Sequence, residues 1–336
     1  MKFLILNLLF MISGSQALAV VIKIGSSPVV SSAGIYLAQE RKYFKEQGLD
    51  VEIIDFNNSG AQMNVLLSKG ELDVGAGNLT SGFFSAINQG QKLKIVADKG
   101  HIEKGRDYIA LIVRGDHVAS GRYKALKDLK GFKVGLTALN GVSQQILMER
   151  FLDKAGLKAN DVEYVKLSYA EMNLALKSKN IDATIQLEPY LTKAELDGIA
   201  KKVASGSEVY PNQQSAAIFF SENFMEKRGE EAKKFMKAYL KGVRDYNRAF
   251  INGKERAGVI KDLKKQIKLE DEKVWSKMVP VGLDENGQIN IESLLADVNW
   301  YMSKKYIEKA PTAENMIEMK FVNEAAKELS KERTGK

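Results

Sequence analysis

The sequence predicts an α/β protein of two similar parallel-sheet lobes, joined by a double hinge and followed by a C-terminal helical extension. Three observations carry this expectation. The chain has 336 residues, 45% hydrophobic and 27% charged, which suits a folded protein with two domain-sized cores. Short β runs alternate with helix-length segments, the pattern of parallel sheets covered by helices. The pattern also occurs twice. Ile22-Lys23-Ile24-Gly25 is answered by Phe132-Lys133-Val134-Gly135, and the run from Met63 to Asp73 by the run from Met172 to Asp182, roughly 110 positions on, a period of domain size and not of solenoid size.

From the N-terminus, Lys2 is followed by the apolar runs Phe3-Leu4-Ile5-Leu6 and Leu8-Leu9-Phe10-Met11-Ile12 and then by Ala17-Leu18-Ala19. A charged start, an apolar centre and a small-x-small end predict a signal peptide over 1–19, cleaved after Ala19. The run is short of the about 20 apolar residues that a membrane-spanning helix needs. Residues 20–113 are then read as the first part of lobe one, 114–206 as lobe two, and 207–336 as the return strand of lobe one with the C-terminal helices.

Within each half a strand leads through a Ser- or Asn-bearing turn to a helix, Ala33 to Gln47 or Val142 to Ala155. Gly48 or Gly156 supplies the C-cap. A second strand follows (Val51 to Ile54; Val162 to Val165), then a helix ending near Gly70 or Lys179, then a third strand from Leu72 or Ile181. Tyr108 to Val113 and Ser215 to Phe220 read as the β segments of the double hinge. Beyond Ser221, helices are expected over Glu222 to Lys227, Glu230 to Phe250, Glu255 to Lys265, Asp271 to Met278, Ile291 to Tyr306 and Ala313 to Leu329. Lys233, Lys237, Lys241, Arg244 and Arg248 fall at helical spacing and read as a solvated face. Asp284-Glu285-Asn286-Gly287 has the start of a calcium loop without its later ligands, and reads as a turn.

Several function classes drop out. With no cysteine there is no disulfide, no thiolate chemistry and no thiol to lipidate at the cleavage point, which favours a freely diffusing periplasmic protein. The formal charge of +8 falls to +7 once Lys2 leaves with the signal. Basic and acidic residues are interleaved, as in Glu230-Glu231-Ala232-Lys233-Lys234, so nucleic acid is not an expected partner. His101 and His117 read as lone surface histidines, which gives neither a metal cluster nor a triad. Gly75-Ala76-Gly77 lacks the third glycine of a dinucleotide loop, Thr80 standing in its place. No catalytic residue, cofactor or metal is expected, and the chain reads as a non-enzyme.

Ligands of open α/β sheets sit outside the carboxyl ends of the strands, where helix N-termini present unpaired N–H groups. Three segments qualify: Ser26 to Ser32 with Ser31 and Ser32, Gly77 to Gly82 with Asn78, Leu79 and Thr80, and Thr137 to Ser143 with Thr137, Asn140, Gly141, Val142 and Ser143. Any one of them is equally a simple N-cap. Three at equivalent positions in two echoing lobes point to a cleft for an anionic or strongly polar solute. Glu188, at the end of a lobe-two strand, either meets an amine of the ligand or pairs with a local lysine such as Lys193.

The stretches Ala38 to Val51, Lys69 to Gly75, Asp182-Ala183 leading to Glu188-Pro189-Tyr190, and Pro280 to Gly287 make the chain similar to the periplasmic receptors for sulfonates, taurine, nitrate and thiamine-precursor pyrimidines, which share the thiamine-pyrimidine-synthase-like domain. The resemblance implies a type II periplasmic-binding-protein fold. It also implies a monomeric receptor that closes over a small-molecule solute and hands it to an inner-membrane ABC permease, with the segments around Ser31, Asn78, Thr137 to Ser143 and Glu188 lining the cleft. An aminopyrimidine receptor and a sensory module are alternatives on the same scaffold. So is a pyrimidine-processing enzyme, although the fungal enzymes use a cysteine-rich motif absent here.

Overall fold

A computed structural model of the chain describes residues 21–56 and 60–335. The expected signal peptide and its cleavage after Ala19 lie outside the described residues. No helix among the described residues is long and apolar enough to cross a membrane.

Among the described residues ten strands form two sheets: β1 (Ile22–Ser26), β2 (Val51–Asp55), β3 (Val74–Asn78), β4 (Lys94–His101), β5 (Ile109–Arg114), β6 (Lys133–Leu136), β7 (Glu163–Lys166), β8 (Ala183–Leu187), β9 (Ala200–Ser205) and β10 (Gln214–Phe220). Their orders are β2-β1-β3-β10-β4 and β7-β6-β8-β5-β9. Substituting β6, β7, β8, β9 and β5 for β1, β2, β3, β4 and β10 turns one order into the other. The internal echo of the sequence is thus an echo of topology.

The sheets are mixed rather than purely parallel. The first three strands of each are parallel, but β10 runs antiparallel to β3 and β4, and β5 antiparallel to β8 and β9. The reason is the crossing itself: the strand that enters each sheet from the other lobe arrives at the opposite end from the βαβ strands. Every residue of β5 and β10 is buried, so they lack the alternation that marks half-exposed antiparallel strands. The boundary drawn at residue 113 therefore shifts, since β5 belongs to the second sheet. The connections lie just before the entering strands, over 102–108 and 206–213.

Local caps follow the chemistry of the sequence. Gly48 and Gly156 both have φ 71, the left-handed conformation that a β-carbon disfavours. Ser221 accepts from Phe224 N, and Asp271 from Lys273 N. The helix expected from Ala33 to Gln47 breaks into Ala33–Glu40 and Tyr43–Glu46, with Lys42 at φ 63 between them. That break turns Arg41 and Tyr43 onto a single carboxylate, Asp245, at 2.6 and 2.5 Å. The first of these helices lies so close to Gly229–Phe250 that a β-carbon on Gly242 would come within 2.1 Å of the Gly34 carbonyl. The last helix also divides, into Ala313–Met316 and Lys320–Thr334. Between them Glu318 N donates to Ile95 O, which fastens the segment to the edge of β4.

Three surface expectations are corrected. The basic stripe faces another helix: Lys233 pairs with Glu324 and Glu328, and Lys237 with Glu328 and Glu332. His117 is buried, its Nε2 2.6 Å from Asp182 Oδ1. His101 is half-buried and sits 3.2 Å from Asp98 Oδ2. The partners of the lysines and of His117 lie far along the chain and leave no mark in local spacing, whereas Asp98 is only three residues before His101. The Asp284 segment is a turn, with Asp284 Oδ1 accepting from the Asn286 and Gln288 N–H groups.

Candidate functional site

At the carboxyl ends of the parallel strands, between the two sheets, lies a cavity of about 460 Å³. From lobe one its wall takes Asn78, Thr80, Ser81 and Gly82, together with Phe56 and Met63. From lobe two it takes Thr137 to Val142, Lys166 and Tyr169. Lys99 of β4 completes it.

The two lobes touch across this cavity, edge to edge. Thr80 and Val142 form an isolated antiparallel bridge. Ser81 N donates to Gly141 O at 2.9 Å, and Ser143 N to Leu79 O at 3.3 Å. Ser81 Oγ donates to Asn140 O at 2.5 Å, and Asn78 Nδ2 to the Tyr169 hydroxyl at 3.0 Å. The structure is therefore the closed arrangement of the lobes. At the N-termini of these helices the Ser81 and Ser143 N–H groups are taken up by carbonyls of the opposite lobe. Thr137 is likewise engaged, its N and Oγ1 both donating to Gln144 Oε1 at 3.1 and 2.5 Å.

The expected residues divide accordingly. Asn78, Thr80, Thr137, Asn140, Gly141 and Val142 lie on the wall. Ser31 stands one shell behind, accepting from Lys99 Nζ at 2.9 Å. Ser32 is buried between Ser26 Oγ and the Ser27 carbonyl, Leu79 is core, and Ser143 donates its hydroxyl to Ser215 O at 3.1 Å.

Glu188 lies away from the wall. Its carboxylate is 0% exposed and accepts from Thr192 N (3.1 Å), Thr192 Oγ1 (2.8 Å) and Val279 N (3.1 Å). Burial raises its pKa. Lys193, the expected local partner, pairs with Asp197 instead. Of the actual partners of Glu188, Thr192 is four residues on, but the Val279 backbone is 91 residues away, beyond the reach of local sequence reading.

Lys99 was not anticipated. It is 2% exposed, and burial lowers its pKa to about 7 against the opposing pull of Asp98. A buried ammonium is costly unless a counter-charge meets it. Ser31 supplies one neutral acceptor for three N–H donors, and Asp98 is engaged with Gly100 N, Gln214, His101 and Asp284 N. Lys99 itself lines the cavity. The available signal was the pair Asp98-Lys99 directly after the apolar residues Ile95-Val96-Ala97 of a strand run. Tyr169 is marked in the sequence only as the first helical residue after Ser168, the N-cap of a capping box closed by Glu171.

One buried lysine, hydroxyls and amides from both lobes, and apolar contributions from Phe56, Met63 and Val29 suit an organic anion. Among the described residues no group of three or more His, Asp and Glu is placed to hold a metal ion.

Comparison with known proteins agrees with this architecture. A protein of Brucella abortus (strain 2308) named as a binding protein is 28% identical over 63% of this chain and 62% of its own length. An Escherichia coli K12 protein named for binding aliphatic sulfonates is 27% identical over 63% of this chain and 60% of its own. A Saccharomyces cerevisiae protein, named as a 4-amino-5-hydroxymethyl-2-methylpyrimidine phosphate synthase, is 26% identical over 63% and 62%. These matches span somewhat under two thirds of each relative. Among solved structures, the ligand-binding component of an ABC-type import system from Staphylococcus aureus superimposes with a TM-score of 0.75 at 18% identity, covering 91% of this chain and 98% of that one. The family model described as NMT1-like matches residues 16–260, and the chain belongs to the NMT1-like family.

Proposed function

We propose that the protein is an exported solute receptor, which captures a small organic anion between its lobes in the periplasm and delivers it to the permease of an ABC-type importer. The observation that carries this reading is Lys99, a buried lysine on the wall of an interlobe cavity. The Brucella and Escherichia coli relatives, one named as a binding protein and the other for aliphatic sulfonates, support it.

The mechanism follows from the geometry. An anion that meets Lys99 supplies the missing counter-charge, and only in the closed arrangement do Asn78 and Thr80 of one lobe and Asn140 of the other surround it. Binding therefore favours closure. Ser31 steadies the ammonium from behind. In this reading Asn78, Thr80, Thr137, Asn140, Gly141 and Val142 contact the solute, and no residue reacts with it.

The test is titration calorimetry of the mature protein with alkanesulfonates, carboxylates, nitrate and aminopyrimidines, with each ligand analysed by mass spectrometry after prolonged incubation. The receptor reading expects micromolar or tighter binding of an organic anion that is recovered unchanged. Turnover of an aminopyrimidine would instead place the chain with the activity named for its yeast relative.

A further inference from the structure

We infer that the cleft takes an organic solute with two anionic groups, one held at Lys99 of lobe one and the other at Lys166 of lobe two. The inference rests on the receptor reading above and narrows its ligand class from an organic anion to an organic dianion.

Lys99 and Lys166 are the charged residues that line the interlobe cavity, and among the described residues no aspartate or glutamate lines it. The two come from different lobes. Lys99 lies in β4, an edge strand of the lobe-one sheet, and Lys166 ends β7, an edge strand of the lobe-two sheet. Lys99 is buried and gives one hydrogen bond to Ser31 Oγ. Lys166 is exposed, and the carboxylates on and just after its strand are engaged elsewhere. Glu163, also in β7, pairs with Lys133 of β6 at 3.7 Å. Glu171 accepts from Ser168 N at 2.7 Å and lines a neighbouring cavity, not this one.

A monoanion that settles at Lys99 leaves the second positive charge of the wall unmet. A second anionic group meets it, and does so across the cleft. Each end of the ligand is then attracted by a different lobe, an attraction complete only when the lobes are together, so it adds to the drive for closure. Val29, Phe56 and Met63 give the same wall apolar surface for the carbon chain that joins the two groups. The two ends are unequal. Lys99 is shielded from solvent, whereas Lys166 is screened by water and salt and contributes the smaller share.

Isosteric probes test the second charge by itself. Linear α,ω-dicarboxylates of increasing chain length are compared by calorimetry with their monoamides, and alkane-α,ω-disulfonates with their monosulfonamides, so that one anionic group is replaced by a neutral group of similar shape. At about pH 6.5, where carboxylates are ionised and lysines protonated, the wild type is expected to prefer the dianion by about fivefold at the matching length. In Lys166→Gln the ratio of the two dissociation constants should fall toward one, and in Lys166→Glu the monoamide should become the better ligand. Lys99→Met should weaken both members of each pair. Equal binding of dianion and monoamide by the wild type at every length, or a preference that survives Lys166→Gln, overturns the dianion and leaves the anion reading standing. Failure of every probe to bind the wild type overturns both.

Discussion

The backbone N–H of Ser81 donates to the carbonyl of Gly141 at 2.9 Å, and Gly141 holds φ +92. Ser81 opens a helix of lobe one and Gly141 lies in the loop after β6 of lobe two, so this bond is a latch across the cleft. A β-carbon on Gly141 would lie 2.7 Å from both Cβ and Oγ of Ser81. Gly141→Ala should therefore hold the lobes apart and add backbone strain to the loop. Ligand affinity is expected to fall by about tenfold or more, with a larger radius of gyration in ligand-saturated X-ray scattering and little loss of helical circular dichroism. An unchanged affinity would mean that closure does not run through this contact.

Glu188 separates a structural role from a binding role. One of its three accepted bonds ties lobe two to the Val279 backbone and the other two hold Thr192, so Glu188→Ala would leave the part-buried Val279 and the buried Thr192 N–H groups unpaired. Destabilisation of about 2–4 kcal/mol is expected in denaturant titrations. At temperatures where the variant remains folded, its ligand dissociation constant should stay within about twofold of wild type. A large loss of affinity in a stable variant would return Glu188 to the ligand.

Asp297 should make stability depend on pH. It is 0% exposed, accepts from the Tyr210 hydroxyl (2.7 Å) and Gln213 Nε2 (3.2 Å), and burial raises its pKa from 3.8 to about 7. A carboxyl with a raised pKa binds more protons folded than unfolded, so its contribution falls as pH rises from 3.8 to about 7. Gln213 also donates to Ser143 O beside the cleft. Asp297→Asn should flatten the stability profile in that window, as read by melting temperature against pH. A profile unchanged by the substitution would exclude Asp297 as its source.

The order of strands and helices, the duplicate topology and the loops at 78–82 and 137–142 were legible because each depends on local signals: β runs, caps and glycines at left-handed positions. What escaped depends on partners far along the chain. Lys99 is distinguished by its burial under Ser31, and Glu188 by a backbone N–H in the C-terminal segment. The antiparallel entry of β5 and β10 follows from the crossing between lobes, which leaves no trace in strand periodicity. The breaks at Lys42 and at Ile317 are likewise set by the tertiary contacts of Asp245 and Ile95.

The central claim is that Lys99 is held as a buried cation for an anionic ligand. In the empty protein its lowered pKa is a cost that is fully present below pH about 7 and relieved as pH rises from there to 10.5, because the unfolded chain binds the extra proton in that range. Anion binding works the other way, requiring the protonated amine. The most direct measurement is therefore calorimetric titration of wild type and Lys99→Met with the best-binding organic anion, from about pH 6 to about pH 9, beside their denaturation midpoints. The wild type should bind more weakly above pH about 7, by up to about tenfold per unit, while Lys99→Met binds weakly at every pH and is more stable by about 1–4 kcal/mol. A Lys99→Met protein that binds the anion as tightly as wild type, with the same pH dependence, would contradict the account.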